Sequence, residues 1–496
     1  FKYFHFLFPI ISIFLISCGG GGGGSAVSSS SSYGNSSCTY SCSNTTNSNG
    51  SSFGSGTSDS YNANTASTWA SRQEFDNILY NGAVSGVQSV QNPYEVMNVH
   101  KAYGYGLSGD DITIHIQDSG FDKDHHEFNG KTVSLYQTNY TSDSSSHNHG
   151  NAVASVALGD YNGISSGDMN SSTGSMMGVA YNADLYYSDY DTNKSGSDVA
   201  ADWSAALDGS PSSTAASNHS YGITADIEAV KSYQTSNGLS DAATIEAYMD
   251  AAGMYSTTSG ASDFISSLKS FQANKGVIVW SLGNHSDQNW DTDKAHFLAA
   301  LPELDSDLKG AWITVSTVDI EGNTGNETYH NRYSNCGITA SYCLSTDSYG
   351  VWVAKHENWN SGSVDSDNSS SYYQAATGNS YGSPMISGSV ALLSEAFPSL
   401  SPKEIATRLF ATADNTFFTH DANTTFSNGV KHGFNFRYGH GIPDLYKALQ
   451  PITSSMVGNS ILIGDSINSS NHYSLEQSNL NLGSAFGDSV DRAVNN

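Results

Sequence analysis

From about Ala66 onward, Trp, Phe, Leu, Ile and Val recur with regular spacing, whereas residues 19–65 are dominated by Gly, Ser and Asn. Asp111-Ile112-Thr113-Ile114-His115-Ile116-Gln117 alternates with period two and halts at Asp118-Ser119-Gly120, which predicts a strand ending in a turn. Ala183 to Tyr187 and Ala311 to Val315 read as further strands. Gly276 to Trp280 is a continuous apolar run that ends near Gly283-Asn284, as a buried parallel strand does. Ile386, Val390, Leu393 and Phe397 recur at helical spacing and Pro398 stops the run; Pro384 is expected in that helix's first turn, where a missing N–H costs little. Ser401-Pro402-Lys403-Glu404 is a capping-box pattern that starts a second helix, with Ile405 and Leu409 on one face. The Ala-, Ser- and Asp-rich stretch from Asp191 to Ser270 predicts inserted loops and helices. Strands alternating with helices give an α/β class with a mostly parallel central sheet, and no fixed-period repeat is evident.

The ends follow other rules. Residues 1–17 combine Lys2 with an apolar run from Phe6 to Ile16, broken by Pro9 and short for a membrane span, which reads as a signal peptide. Cys18 closes that run directly, an arrangement similar to a bacterial lipobox; an ordinary signal peptide with an incidental Cys is the alternative. Residues 18–65 then read as a Gly/Ser/Asn-rich tether, 66–450 as one folded domain, and 451–496 as a linker or disordered tail.

Charge narrows the partners. The chain has 496 residues, with 19 Lys+Arg against 47 Asp+Glu, a net charge of −28. That balance excludes nucleic acid and a polybasic membrane patch, since both need positive charge. Five cysteines leave four once Cys18 is set aside. Cys336 and Cys343 bracket a short loop and are expected to form a disulfide in an exported chain; zinc is the alternative, without a second close thiol pair and ligand His to support it.

Three sites carry candidate chemistry. Asp118 ends a strand, where a carboxylate can be fixed beside an imidazole; alone it reads as an Asp-Ser-Gly turn. His149 precedes Gly150 and a small-residue helix, Ala152 to Ala157. Its rival role is metal binding with His147, Asp122, Asp124, His125, His126 and Glu127, but no HExxH helix accompanies them, and no metal ligand set is assigned. Ser380 stands at a Gly-rich strand-to-helix turn, where its own N–H can stabilise developing negative charge; alone it reads as a helix N-cap.

In the order Asp, His, Ser, these segments resemble the subtilisin-like serine proteases. HGNAVASVALG resembles that family's HGTxVAG helix start, GNSYGSPMISG its GTSxAxPxVSG, and GFDKDHHEF the stretch after its catalytic Asp. The resemblance spans roughly residues 95–450 and closes at Tyr438-Gly439-His440-Gly441. It implies a mostly parallel sheet with helices on both faces. It also implies a triad of Asp118, His149 and Ser380, with Asn284 as oxyanion donor. Ser220, Tyr221 and Gly222, and Trp280, Ser281, Leu282 and Gly283, would form the two substrate-binding segments. The expected partners are polypeptide substrates, the expected working unit is a monomer, and no cofactor is required, with a structural calcium ion allowed by the Asp-rich loops. Departures are Gln117, Asn151, Asn379 and Gly382, none of them a triad member. Leu480 to Asp488 and the Cys336–Cys343 loop resemble the autotransporter branch, which implies a barrel beyond residue 496. The expected location is the bacterial outer membrane or cell surface, through a lipid on Cys18 or released. The rivals from other classes are a surface adhesin or pseudoprotease that keeps the fold, and a metal-dependent hydrolase.

Overall fold

The computed structural model describes residues 16–17, 61–80, 91–136, 149–165, 169, 174–190, 199–222, 225–252, 254, 260–284, 295–322, 324–355, 372–426, 429–450 and 452. Cys18, Cys38, Cys42, His147 and the tail from 453 lie outside them. The folded region begins ahead of the expected boundary at 66, because helix Ala63–Ala70 starts on an Asn62 cap that accepts from Thr65 N–H at 3.0 Å.

Among the described residues the central sheet has eight strands. Their spatial order is Cys343–Asp347, Trp312–Glu321, Val277–Ser281, Thr214–His219, Thr113–Asp118, Asp184–Asp189 and Val133–Leu135, all paired in parallel. Thr328–Asn331 adds one antiparallel pairing against Trp312–Glu321. The strand candidates at 111–117, 183–187, 276–280 and 311–315 therefore all fall in this sheet, as two neighbouring pairs with Thr214–His219 between them. Parallel strands buried on both faces explain why Val277-Ile278-Val279-Trp280 reads as a continuous run.

Registers bring Asp118, His219 and Ser281 to one end of the sheet, the carboxyl ends of three adjacent strands. Sites in open α/β sheets lie at such ends. One face is covered by helix His149–Leu158, all of whose residues are buried, and by Asn379–Ala396. The small residues of HGNAVASVAL let that helix lie close against the Asp118 strand. On the other face, Trp203 of helix Val199–Gly209 meets Phe264 of helix Gly260–Asn274 at 5.4 Å and Tyr221 at 5.2 Å. The predicted insertion thus supplies the second helical layer, with Ile227–Asn237 and Asp241–Ala251 between.

The capping box at Ser401 forms as predicted, opening helix Pro402–Thr412. Cys336 and Cys343 are bonded. Pro384 differs: the helix starts at Asn379, so the proline is its sixth residue, one turn later than expected. Its missing N–H would leave the Ser380 carbonyl without a helical donor. The Ser220 hydroxyl donates to that carbonyl at 2.8 Å instead.

Candidate active site

Asp118 ends its strand fully buried, and its Oδ1 accepts the Ser119 N–H at 2.7 Å. The same oxygen faces His149 Nδ1 at 2.6 Å. The approach depends on Gly150, because a Cβ there would lie 2.5 Å from the Gly120 carbonyl oxygen. The helix is pinned to the strand turn by Gly150 N–H to Ser119 O at 2.7 Å and Asn151 N–H to Gly120 O at 3.2 Å. Asn151, which departs from the family's Thr, accepts the Asp122 N–H at 2.7 Å through its side-chain oxygen. With Nδ1 donating to Asp118, the lone pair of His149 lies on Nε2, which is buried and has no partner. The ring lies 5.8 Å from that of Tyr381, the residue after Ser380.

Ser380 is the second residue of its helix and does not cap it; Gly378 stands at the cap. Its N–H is therefore among the four at a helix start that lack an intrahelical acceptor. Its hydroxyl donates to the Ser220 carbonyl at 3.1 Å, so the two serines are doubly bonded. Asn284 Oδ1 accepts the Asn379 N–H at 2.9 Å, which turns the amide nitrogen of Asn284 toward the backbone at Gly378. Asn379 donates its own amide to the carbonyls of Leu282 and Gly283, at 2.9 and 3.0 Å. The departure from Thr at 379 thus ties the nucleophile's helix to the Asn284 segment.

The two substrate segments are placed less simply. Ser220 touches Ser380 as described, but Tyr221 is buried with its ring stacked on Tyr190 at 4.6 Å. Trp280 is fully buried, stacked on His219 at 4.2 Å, and donates its indole N–H to the Tyr221 carbonyl at 2.8 Å. Leu282 and Ser281 are buried as well. These four side chains belong to the interior, which leaves the backbone for contact. A Cβ on Gly222 would collide with the His296 ring at 2.6 Å. The edge at Tyr221–Gly222 pairs antiparallel with Ile16–Ser17, showing that it accepts an extended strand.

His125, His126 and Glu127 serve structure. His125 Nδ1 caps the turn through Glu127 N–H at 3.2 Å, and Tyr373 hydroxyl lies 2.6 Å from His126 Nε2. Burial pushes the Glu127 carboxyl up to about 8. It accepts from Met176 N–H at 2.9 Å, Ser175 Oγ at 3.3 Å and the Tyr373 hydroxyl. Glu74 accepts the N–H groups of Asn162 and Ile164. Only Glu127 Oε2 lacks a hydrogen-bond partner among these oxygens. Among the described residues no group of three or more His, Cys, Asp or Glu could hold a metal ion.

Sequence reading missed one group altogether. His115, Ser217, His219, Tyr221 and Gln117 are buried and hydrogen-bonded in a row beneath the site. The period-two pattern at 111–117 held the signal, since His115 and Gln117 fall on one face and Ile114, Ile116 and Asp118 on the other.

Residues 109–441 match Peptidase_S8, the subtilase family. The chain belongs to the subtilase family. Within it, an extracellular serine protease of Serratia marcescens is 25% identical over 355 residues, 64% of this chain and 31% of that protein. This subtilase chain thus spans under a third of that relative's length, at 31%. The crystal structure of the Aeromonas sobria serine protease in complex with its chaperone aligns with a TM-score of 0.51 at 17% identity. It covers 76% of this chain and 66% of that one, and shows the shared subtilisin-like fold. Fervidolysin from Fervidobacterium pennivorans aligns at TM-score 0.44 and 19% identity, over 71% of this chain and 45% of that one.

Proposed function

We propose that the protein is a serine endopeptidase that hydrolyses polypeptides through Asp118, His149 and Ser380. The observation that carries the reading is the 2.6 Å pair of Asp118 and His149, with Nε2 left open and the ring 5.8 Å from that of Tyr381, the residue after Ser380. In this scheme Asp118 fixes the Nδ1–H tautomer and stabilises the imidazolium. The Ser380 hydroxyl exchanges its bond to Ser220 for one to Nε2, passes its proton there and attacks the scissile carbonyl. An acyl-enzyme forms, His149 delivers the proton to the leaving amine, and water then releases the acid. The Ser380 N–H and the Asn284 amide nitrogen receive the oxyanion. Backbone groups of Tyr221 and Gly222 take the substrate as an added strand, as they do Ile16–Ser17.

The test is labelling of the purified protein with a fluorophosphonate probe. Adduct mass on the Ser380 peptide, absent in Ser380→Ala, is expected; an unlabelled wild-type protein overturns the reading. A second reading, a surface protein that keeps the fold without turnover, draws on the Ser380 hydroxyl being bonded to Ser220 rather than His149. Free enzymes do tighten such bonds only with substrate in place, so the same labelling decides between the two.

We also propose export and anchoring by lipid on Cys18, supported by the apolar run that Cys18 ends and by the relative described as extracellular. No described helix is long and apolar enough to cross a membrane. A C-terminal barrel continues the proposal on the resemblance of residues 480–488. Cell fractionation with amino-terminal mass analysis, and the gene sequence beyond Asn496, test these points.

A further inference from the structure

The buried row beneath the site has a direction. Tyr221 Oη lies 2.7 Å from Gln117 Oε1, which can only accept, so the tyrosine donates there. It is then the acceptor for His219 Nδ1 at 3.0 Å, which places a hydrogen on Nδ1 and a lone pair on Nε2. Ser217 Oγ, 2.9 Å from that Nε2, donates to it and must in turn accept from His115 Nδ1, also 2.9 Å away. His115 Nε2 is left as acceptor for Ser188 Oγ at 2.8 Å. Ser217 and Tyr221 each donate once and accept once along the row, and Ser188 donates at its head. Burial holds both imidazoles neutral, lowering His115 to about 3 and His219 well below its ordinary value, with Lys275 and His115 the lesser causes. One hydrogen per ring is what the row needs.

The row crosses three adjacent strands of the central sheet, from Ser188 through His115 to Ser217 and His219, and then reaches Tyr221 in the short segment that follows. It ends on the residue that follows Ser220 in the segment proposed above to take substrate. Tyr221 is otherwise held by its stack on Tyr190 and by Trp280 on its carbonyl. Ser220 is fixed separately by its two bonds to Ser380. Loss of the row therefore bears on Tyr221 and Gly222 more than on the nucleophile.

Resting on the endopeptidase reading, we propose that Gln117 is a positioning residue: it terminates a one-way hydrogen-bond row, Ser188 to His115 to Ser217 to His219 to Tyr221, that holds the Tyr221–Gly222 backbone in register to bind the substrate's peptide chain. Gln117→Leu removes the terminal acceptor and leaves the Tyr221 hydroxyl buried without one.

The experiment uses the full chain and a tetrapeptide p-nitroanilide. Gln117→Leu is expected to raise KM about tenfold, with kcat and the rate of fluorophosphonate labelling within about twofold of wild type. Equal losses in kcat and labelling rate, or an unchanged KM, overturn the proposal. A readout independent of turnover comes from nitrogen-15 spectra of labelled histidines. Both His115 and His219 are expected as neutral Nδ1–H tautomers; an Nε2–H tautomer on either breaks the row and the proposal with it. If the wild type fails to label at all, the endopeptidase reading and the role in substrate binding fall together. The tautomers then still report whether the row exists.

Discussion

The strand Thr113–Asp118 presents two unlike faces. Toward helices His149–Leu158 and Asn379–Ala396 it shows Ile114, Ile116 and, at its end, Asp118. Toward the opposite layer it shows His115 and Gln117. The first face is apolar until its last residue, so its one polar group is held by a dry wall and meets His149 at 2.6 Å. The second face is polar almost throughout, yet its groups are joined to one another. A buried carboxylate needs a partner that carries a proton, whereas a row of neutral groups needs only a consistent direction. Reactivity at one face and immobility at the other thus come from how far the groups that titrate are satisfied: His149 Nε2 lacks a partner, while both imidazoles of the row use both nitrogens and the unpartnered atom there is the Gln117 amide nitrogen at its end.

The sharpest way to break this contrast is at the incompletely satisfied face. His149→Ala should lower kcat by about 10⁴-fold or more, since triad members act as a unit. Thermal stability should fall as well, because the ring is buried and its loss leaves the fully buried Asp118 carboxylate without its 2.6 Å partner. Steady-state kinetics with a melting curve on the same sample would check both. Retained turnover would refute the triad.

Asn284→Ala comes next. It removes a proposed oxyanion donor and also the acceptor of the Asn379 N–H, 2.9 Å away. A fall in kcat of about 10²–10³ with little change in KM is expected from the lost donor. A change confined to KM would mean that Asn284 only shapes the loop.

The satisfied face should answer to pH rather than to single-site chemistry. His115 and His219 are neutral when folded, with His115 near 3, while an unfolded His titrates near 6.5. Between those values the unfolded chain binds more protons, so stability rises with pH and is lost as pH falls from about 6.5 toward about 3. His432, at about 4, and His440, at about 3, are lowered by burial in the same direction. Four such histidines, set against the opposite slope of Glu127 and Glu395, whose carboxyls burial raises to about 8 and about 7, leave a net slope on the order of 3 kcal/mol per pH unit, or roughly 5 °C in melting midpoint. Melting curves from pH 7 to pH 4 measure it. A flat profile would mean that the row is open to water and protonates freely.

Much of the first face was legible because its signals are local. HGNAVASVALG and GNSYGSPMISG each carry the side chain and the turn that aims it within a few residues. The second face was not, because it depends on register. That Gln117 faces Tyr221 and His115 faces Ser217 follows from how three strands align, over separations of 104 and 102 residues. Gln117 stood out in the sequence as a departure, but its partner lies on a strand whose neighbour only the fold identifies. Trp280 and Tyr221 were assigned to the cleft for the same reason: a run of apolar residues tells that a strand is buried, not which side chains keep a wet side. Pro384 misled differently, since a helix start one residue before the expected nucleophile position is a matter of capping at Gly378, which has no side chain to announce it.

The smallest expected effect tests how rigid the first face is. Gly382 is the fourth residue of the nucleophile's helix, and a Cβ there would lie 2.4 Å from Thr346 Oγ1 and 3.1 Å from Val315 Cγ1. Thr346 Oγ1 is buried without a partner, so it can turn away and give up no hydrogen bond. Crowding by one methyl in a packed interior costs about 1–3 kcal/mol. Replacing glycine by alanine inside a helix returns about 1 kcal/mol. Gly382→Ala should therefore leave stability to urea within about 1–2 kcal/mol of wild type and kcat nearly unchanged. A much larger loss would mean that Thr346 cannot rotate and that the wall behind Ser380 is as fixed as the hydrogen-bonded row on the other side of the sheet.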